Sequence, residues 1–259
     1  MPPVHFEITN SIGFITLNRP DKLNAFNRQM ALLLQEKLDE CKKKEVRCVV
    51  ITGTGKAFSA GQDLAEVGDP TTGGAGMQRI LSEQFNPIVT RIRKLEKPVV
   101  AIINGVAAGA GANIALCCDI VLAAESASFI QAFSKIGLIP DTGGTHILPR
   151  LIGWQKASAL MMLGDKVSAA DAERMGMVYK VFPDEKFLAE AMKIVNVLAA
   201  MPTRGLAYTK QLLGMSFTNS LEEQLQDEDV FQQRAAQTED YKEGVAAFLE
   251  KRQAHFKGE

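Results

Sequence analysis

The apolar residues of the chain follow two periodicities. Short runs rich in β-branched residues have the length and composition of strands, and they lie at 13–17, 48–52, 99–103, 119–123 and 177–182. Two longer segments, 27–44 and 77–95, separate the first three runs and carry apolar residues at helical spacing. Strands that alternate with helices of this length predict an α/β fold with largely parallel pairing.

After residue 182 the pattern becomes wholly helical. Helices are predicted to begin near Pro183 and Pro202 and after Ser220, where the sequence Ser-Leu-Glu-Glu forms a capping box. The third of these helices is strongly charged around a narrow apolar stripe, formed by Leu221, Leu225 and Phe231. Such a stripe is typical of a helix that packs against a partner, so we expect an oligomer.

Composition narrows the class of protein. A hydrophobic content of 46% with 23% charged residues is ordinary for a folded globular chain, and a net charge of −1 gives no basic field for nucleic acid or an anionic membrane surface. No apolar run approaches the ~20 residues needed to span a bilayer, and the N-terminus lacks the features of a signal peptide. The four cysteines show no metal-ligand spacing. We therefore predict a cytoplasmic protein without nucleic-acid or membrane partners.

Two loops rich in small residues follow predicted strands, at 58–64 and 105–112. Small residues let a ligand approach the backbone closely, and a helix start presents unpaired N–H donors. Two donor-rich loops can converge on one oxygen that is developing negative charge. The pattern predicts an enzyme that forms an enolate, with the glycine-rich segment 68–76 as a lid over its site.

Other chemistries lack their motifs. The glycine-rich turn has no third glycine for a dinucleotide, no Gly-Lys-Ser/Thr follows it, and no G-x-S-x-G elbow is present. The three histidines are scattered, and no residues have the spacing of metal ligands. Asp141 precedes a helical segment, and capping of that helix is the simpler interpretation of this carboxylate. The residues alone thus leave the catalytic base open.

Four motifs in one order are similar to those of a known family. They are NRPDKLNA at 18–25, AFSAGQDL at 57–64, the stretch 104–111 and GLIPDTGGT at 137–145. The chain resembles the crotonase (enoyl-CoA hydratase/isomerase) superfamily over its full length. The resemblance implies a spiral of β-β-α turns, with a core carrying an acyl-CoA site at 1–200 and a C-terminal helical oligomerisation region at 201–259. It further implies a trimer or a dimer of trimers, an acyl-CoA thioester as ligand, and no metal or cofactor other than the CoA of the substrate.

The resemblance also assigns residues to the site. The backbone N–H groups of Gln62 and Ala110 would form an oxyanion hole for the thioester oxygen. The acyl pocket would involve Ala60, Gly61, Gly109, Asn113, Phe133 and Gly137. CoA would lie along Lys22, Leu23, Ala25, Asp63 and Leu64. Phe256 and Lys257, near the C-terminus, would reach the CoA from a neighbouring region.

Departures from the family pattern point to the reaction. Family hydratases place two glutamates around a water, and those positions match Asn113 and Phe133, which cannot act as a general acid and base. Asp141 falls where certain isomerases of the family carry an essential aspartate. This favours an acyl-CoA isomerase in which Asp141 moves the proton, Asn113 positions the acyl group and Phe133 provides an apolar wall.

Within the family, the stretches 131–141 and 241–252 are most similar to isomerases that act on a ring-bearing acyl-CoA. Three alternatives remain open. The chain could be an enoyl-CoA isomerase of fatty-acid oxidation, a hydratase working with one carboxylate, or a non-catalytic protein kept for assembly.

Overall fold

A computed structural model describes residues 2–67 and 75–259 of the chain. The lid predicted at 68–76 therefore lies, except for its last two residues, outside the described residues. The strands among the described residues are β1 (Val4–Thr9), β2 (Ile12–Leu17), β3 (Cys48–Gly53), β4 (Ala57–Ser59), β5 (Val99–Ile103), β6 (Val106–Ala108), β7 (Ile120–Ala124), β8 (Ser128–Ile130), β9 (Lys166–Ser168) and β10 (Lys180–Phe182).

Helices account for most of the remaining chain. They are α1 (Arg28–Glu40), α2 (Ala75–Arg79), α3 (Asn86–Lys94), α4 (Ala110–Leu116), α5 (Gly144–Ile152), α6 (Trp154–Leu163), α7 (Ala169–Arg174), α8 (Phe187–Ala200), α9 (Thr203–Met215), α10 (Leu221–Ala236) and α11 (Glu239–Glu250). A π-helical segment, Ile80–Phe85, joins α2 to α3. Short 3-10 turns cover Pro20–Lys22, Leu64–Glu66 and Ala132–Ile136.

The strands form two sheets. The larger sheet has the order β1-β2-β3-β5-β7-β10, antiparallel only between β1 and β2, and the smaller has the order β4-β6-β8-β9, antiparallel only between β8 and β9. Strands β3, β5 and β7 of the larger sheet are each followed by a short strand of the smaller sheet and then by a helix. The chain thus makes successive β-β-α turns, and the α/β prediction with largely parallel pairing is confirmed.

The central strands are buried on both faces. Strand β5 is buried along its whole length, and Val49 and Ile51 of β3 have no exposed surface. Continuous apolar runs of this kind are typical of parallel strands covered on both sides. Burial also raises the pKa of the Cys41 thiol to about 12, and the other three cysteines are likewise buried and free. The cysteines are therefore packing residues.

The structure differs from the predicted elements in places that have identifiable physical reasons. Strands β4, β6 and β8 have only three residues each, too few to show a two-residue period. Helix α8 begins at Phe187 rather than after Pro183, because Asp184 accepts hydrogen bonds from the Ser126 N–H (3.1 Å) and hydroxyl (2.9 Å). The predicted C-terminal helical region contains a fourth helix, α11, for which the sequence provided no separate start signal.

The C-terminal helices carry exposed apolar side chains. The capping box at Ser220 is confirmed, since its hydroxyl accepts from the Glu223 N–H and the Glu223 carboxylate accepts from the Ser220 N–H. Leu221 and Leu225 are 69% and 55% exposed, whereas Phe231 packs edge-on against the Tyr208 ring within the chain. Of the predicted stripe, two leucines therefore lack partners in a single copy. Among the described residues, no helix is long and apolar enough to cross a membrane.

We expect the protein to form an oligomer in solution, because a single copy leaves the Leu221 and Leu225 side chains in water, and the family resemblance implies a trimer or a hexamer. Multi-angle light scattering at micromolar concentration should give three or six times the chain mass of 28.2 kDa. A species with the mass of one chain would contradict this expectation.

Candidate active site

The loop after β4 is paired to the loop before α1 in a way that leaves one N–H free. The Phe26 N–H donates to the Gly61 carbonyl (2.7 Å), and the Asp63 N–H donates to the Phe26 carbonyl (2.9 Å). These two bonds place Gly61 and Asp63 against Phe26 and turn the intervening Gln62 N–H to the opposite side, as in any parallel bridge. Among the described residues the Gln62 N–H has no hydrogen-bond acceptor.

Buried polar side chains fix this loop. Asn24 has no exposed surface, and its Nδ2 donates to the carbonyls of Thr54 (2.9 Å) and Ala57 (2.8 Å). The Ser59 hydroxyl donates to the Asn24 carbonyl (2.8 Å) and accepts from the Gly61 N–H (3.1 Å). Ser59 is thus a structural residue of the loop, because both roles of its hydroxyl are already taken.

The second free N–H lies at the start of helix α4. Gly109 is the N-cap, with φ +51° and ψ −127°, and no side chain caps the helix. Ala110 is the first helical residue, so its N–H has no acceptor within the helix. It also has no acceptor elsewhere among the residues that the structure describes.

Two glycines bring the two loops into contact. A Cβ atom at Gly111 would lie 2.7 Å from the Cβ and hydroxyl oxygen of Ser59. A Cβ atom at Gly61 would lie 2.8 Å from the Ala108 carbonyl oxygen and 3.3 Å from the Ala110 nitrogen. A side chain at either glycine would force the loops apart, and with them the two unpaired N–H groups.

Both loops open onto a cavity of about 210 Å³. Its lining is mostly apolar and comes from both loops, the α2 segment and the turn after β8; it consists of Ala60, Gly61, Gln62, Leu64, Val67, Met77, Ile80, Phe85, Gly109, Ala110, Ala132, Phe133, Lys135, Ile136, Leu138 and Asp141. Asp141 is the one carboxylate on this lining among the described residues. The contribution of Met77, Ile80 and Phe85 carried no signal in the sequence beyond their apolar character.

Asp141 does not cap helix α5. The N-cap is Gly143, and the Asp141 carboxylate instead accepts from the Thr142 hydroxyl (2.6 Å). Burial raises the pKa of the Asp141 carboxyl above its ordinary value of 3.8, although the Thr142 hydrogen bond opposes the shift. A carboxyl on a cavity wall whose pKa is raised by burial is a candidate for proton transfer.

The predicted acyl-pocket residues divide into two groups. Phe133 is 6% exposed and lines the cavity, together with Ala60, Gly61 and Gly109. Asn113 and Gly137 do not line it: Gly137 is exposed, and Asn113 is buried behind the wall. The Asn113 amide donates to the Asp141 carbonyl (2.8 Å) and accepts from the Gln131 amide (2.8 Å). The predicted contact between Asn113 and the acyl group is thereby corrected to a contact with the turn that carries Asp141.

Five of the predicted CoA-binding residues lie close to the Gln62 donor. Lys22, Leu23 and Ala25 precede α1, and Asp63 and Leu64 follow Gln62. Arg19 ties the two segments together, because it donates to the Ala25 carbonyl (2.6 Å) and pairs with the Asp63 carboxylate (2.9 Å). Burial works against ionisation of Asp63, but the hydrogen bonds from Arg19 and the Ala65 N–H outweigh it and hold the pKa of the carboxyl below its ordinary value.

Phe256 and Lys257 lie away from the other predicted CoA-binding residues. The Arg47 guanidinium donates to the Phe256 carbonyl (2.8 Å), and Asp240 accepts from the Lys257 N–H (2.6 Å). Arg47 immediately precedes β3, whereas Asn24 is bonded beyond the other end of that strand, at a separation of ~20 Å for a six-residue strand. Within one chain these two residues do not join the CoA segment, and their contact with the CoA of a neighbouring protomer stays a prediction.

Comparisons with known proteins show which family and fold the chain shares. The family model described as "Enoyl-CoA hydratase/isomerase" matches residues 7–259. The "1,2-epoxyphenylacetyl-CoA isomerase" of Escherichia coli is 45% identical, with 97% of each chain covered, and a "Probable enoyl-CoA hydratase" of Rhodobacter capsulatus is 40% identical, with 98% of each covered. A crystal structure of a "putative Enoyl-CoA hydratase/isomerase" from Mycobacterium abscessus superposes with a TM-score of 0.92 at 34% identity over 98% of both chains.

We expect the variant Asp141→Asn to be more stable than the wild type at neutral pH. Burial raises the pKa of the Asp141 carboxyl in the folded protein above its pKa in the unfolded chain. As pH rises from the unfolded-state pKa through the folded-state pKa, the carboxyl ionises while buried, and the free energy of unfolding falls. The gain in the free energy of unfolding should be small near pH 4 and should grow toward pH 7, as followed by urea titration.

Asp63→Asn provides the matched control of opposite sign. The Asp63 carboxyl has a lowered pKa in the folded protein, so its charge stabilises the fold at any pH above its pKa in the unfolded chain. This variant should therefore be less stable than the wild type at pH 7. A loss of stability in Asp141→Asn at pH 7 would show that the buried charge is not the dominant effect at that position.

Proposed function

The chain belongs to the enoyl-CoA hydratase/isomerase family, and we propose that within it the protein is an acyl-CoA isomerase that acts through a thioester enolate. The observation that carries this proposal concerns the described residues: two backbone N–H groups without acceptors there, at Gln62 and Ala110, open onto the same cavity as one carboxylate of raised pKa. The donors would bind the thioester oxygen as it becomes negative, and one such donor typically contributes ~3 kcal/mol to transition-state stabilisation.

Asp141 would move the proton. As a carboxylate it accepts a proton from a carbon conjugated with the thioester, and the electrons pass to the oxygen held by Gln62 and Ala110. The same carboxyl then returns the proton to another carbon, which completes the isomerisation without a metal or redox cofactor. The raised pKa supports this role, because proton transfer at neutral pH is most efficient when the pKa lies near the working pH.

The surroundings of the cavity argue against addition of water. A hydratase needs two groups that hold and split a water molecule, whereas Phe133 offers an apolar ring and Asn113 has its amide committed within the protein. Asp141 is the one carboxylate on the described lining and has no acidic partner there.

For the substrate we propose 2-(1,2-epoxy-1,2-dihydrophenyl)acetyl-CoA, with the oxepin-CoA as product, in phenylacetate catabolism. In this reaction the bond between the two epoxide carbons would break and its electron pair would enter the π system of the seven-membered ring, while Asp141 moves a proton from the side-chain carbon to a ring carbon, so that no atom is gained or lost. The 45% identical relative named for this activity supports the assignment, and a mostly apolar cavity of about 210 Å³ suits a ring-sized acyl group. An enoyl-CoA isomerase is the second candidate, because the same apolar lining also suits an unsaturated hydrocarbon chain.

Asp141→Asn should abolish most of the isomerase activity while acyl-CoA binding is kept. Loss of a general acid–base group lowers kcat by ~100- to 10,000-fold, and the amide preserves the shape of the side chain. Turnover of the epoxide and of a 3-enoyl-CoA can be followed by mass spectrometry in deuterated water, with binding measured by calorimetry.

Asp165→Asn is the matched control, because Asp165 is an exposed carboxylate in the turn before β9 and lies outside the cavity lining. It should turn over at the wild-type rate. If Asp141→Asn did the same, another residue would have to be the proton carrier.

Hydration should be a poor reaction for this protein. Crotonyl-CoA incubated with the pure enzyme should give little 3-hydroxybutyryl-CoA, because the described lining provides no second carboxylate to activate water. Hydration at a rate comparable to isomerisation would overturn the proposed reaction class.

A further inference from the structure

Asn113 and Gln131 form a buried amide pair directly behind the turn that carries Asp141. Asn113 has no exposed surface and Gln131 is 2% exposed, and neither lines the cavity. The Gln131 Nε2 donates to the Asn113 Oδ1, and the Asn113 Nδ2 donates to the Asp141 carbonyl, both at 2.8 Å. One continuous hydrogen-bond chain thus runs from the end of β8, through α4, to the candidate proton carrier.

The hydrogen-bonding partners fix how both amides are oriented. The Asp141 carbonyl can only accept, so Asn113 must present its Nδ2 to it and its Oδ1 to Gln131. Gln131 must then donate, which leaves its Oε1 buried and without a partner among the described residues. An unsatisfied buried acceptor destabilises a fold, so the pair is not explained by stability alone.

The turn itself has an unfavourable backbone that these contacts hold in place. Thr142 has φ +54°, which is uncommon for a residue with a β-branched side chain, and Gly143 has φ +76°. The next residue, Gly144, packs so closely on the Asn113 amide that a side chain there would overlap with it. Asn113 thus holds the turn on both sides of its strained residue.

We propose that Asn113 and Gln131 are positioning residues that set the orientation of the Asp141 carboxyl in the cavity. The proposal rests on the proposed function, since it makes Asp141 the group that has to be aimed. It also explains why position 113 carries an amide in this chain: a carboxylate would face the Asp141 carbonyl with an acceptor, and only a protonated carboxyl could donate as the amide does.

The variants Asn113→Asp and Asn113→Leu test this idea through the pH profile. A buried carboxyl has a raised pKa, so Asn113→Asp should keep a kcat near that of the wild type at low pH and lose ~10- to 100-fold as pH rises and the carboxyl ionises. Asn113→Leu cannot donate at any pH, so its kcat should be low throughout. KM should change less than kcat in both variants, because Asn113 does not line the cavity.

The other titratable groups near position 113 are the same in the wild type and both variants, so they do not account for a difference between the pH profiles. The titratable groups nearest to this position are Asp141, Lys135 on the cavity lining and the Cys117 thiol at the end of α4, whose pKa burial raises to about 12. His146 and Arg150 on α5 are exposed and pack against the Phe217 ring. These groups are common to the wild type, Asn113→Leu and Asn113→Asp. A decline confined to Asn113→Asp therefore reports the carboxyl at position 113.

Gln131→Met removes the other half of the pair. It keeps the length of the side chain and leaves the Asn113 Oδ1 without its donor, so kcat should fall while KM is largely retained. Gln35→Met is the matched control: Gln35 is a 9% exposed glutamine on α1 whose amide donates to the carbonyls of Glu83 (2.8 Å) and Gln84 (3.1 Å). Its loss should lower thermal stability and leave the shape of the pH profile of kcat unchanged.

A measurement on the substrate-free protein separates this proposal from the proposed function. The Gly144 N–H donates to the Asp141 carbonyl (2.9 Å), so its hydrogen exchange reports how firmly the turn is held. Exchange at Gly144 should be ~10-fold faster in Asn113→Leu and Gln131→Met than in the wild type, relative to the amide of Ile102 in β5, and unchanged in Gln35→Met.

A wild type without isomerase activity, combined with the expected exchange changes, would remove the proposed function and leave the positioning of the turn in place. Unchanged exchange at Gly144 in both variants would overturn the positioning role. An effect on KM alone would also overturn it, and would return Asn113 to direct contact with the acyl group.

Discussion

The candidate site depends on the contact between two loops that belong to successive β-β-α turns. Gly61 packs against the Ala108 carbonyl and the Ala110 nitrogen, and Gly111 packs against Ser59. Because β4 and β6 are neighbours in the smaller sheet, the loops that follow them arrive side by side. The glycines then allow the remaining approach, so that two N–H groups without partners in the described protein open onto one cavity.

The well-packed larger sheet and the strained residues around Asp141 lie in different parts of the molecule. The larger sheet, with β3 and β5 covered on both faces, supplies a well-packed framework. Three features that work against stability lie at the cavity or directly behind it: the carboxyl of Asp141 is partly desolvated, Thr142 has a left-handed backbone and the Gln131 Oε1 is unsatisfied. Sites with such features are commonly functional, and here all three lie on one turn or on the amide chain attached to it.

The sequence was informative where a feature depends on local pattern. The buried strands β3 and β5 and the capping box at Ser220 were predictable because their residues interact with near neighbours or with the core as a whole. The three-residue strands β4, β6 and β8 were not, since their pairing depends on partners far along the chain. The same reason explains Asn113 and Gln131, which are 18 residues apart and meet only through the fold. The sequence could not tell whether Asp141 caps helix α5 or transfers protons, because an aspartate in a turn before a helix fits both roles. The contacts of its carboxylate in the structure exclude the capping role.

The two donors at Gln62 and Ala110 belong to the peptide backbone, and this has an evolutionary consequence. A point mutation replaces a side chain but leaves the backbone N–H in place. Most substitutions at positions 62 and 110 would therefore keep both proposed donors. Selection must act on the neighbouring glycines instead, where any side chain would overlap with the opposite loop. The proton-handling half, in contrast, is made of side chains. If the proposed site is correct, related enzymes could exchange one acyl-CoA reaction for another by changing these side chains while keeping the same two backbone donors.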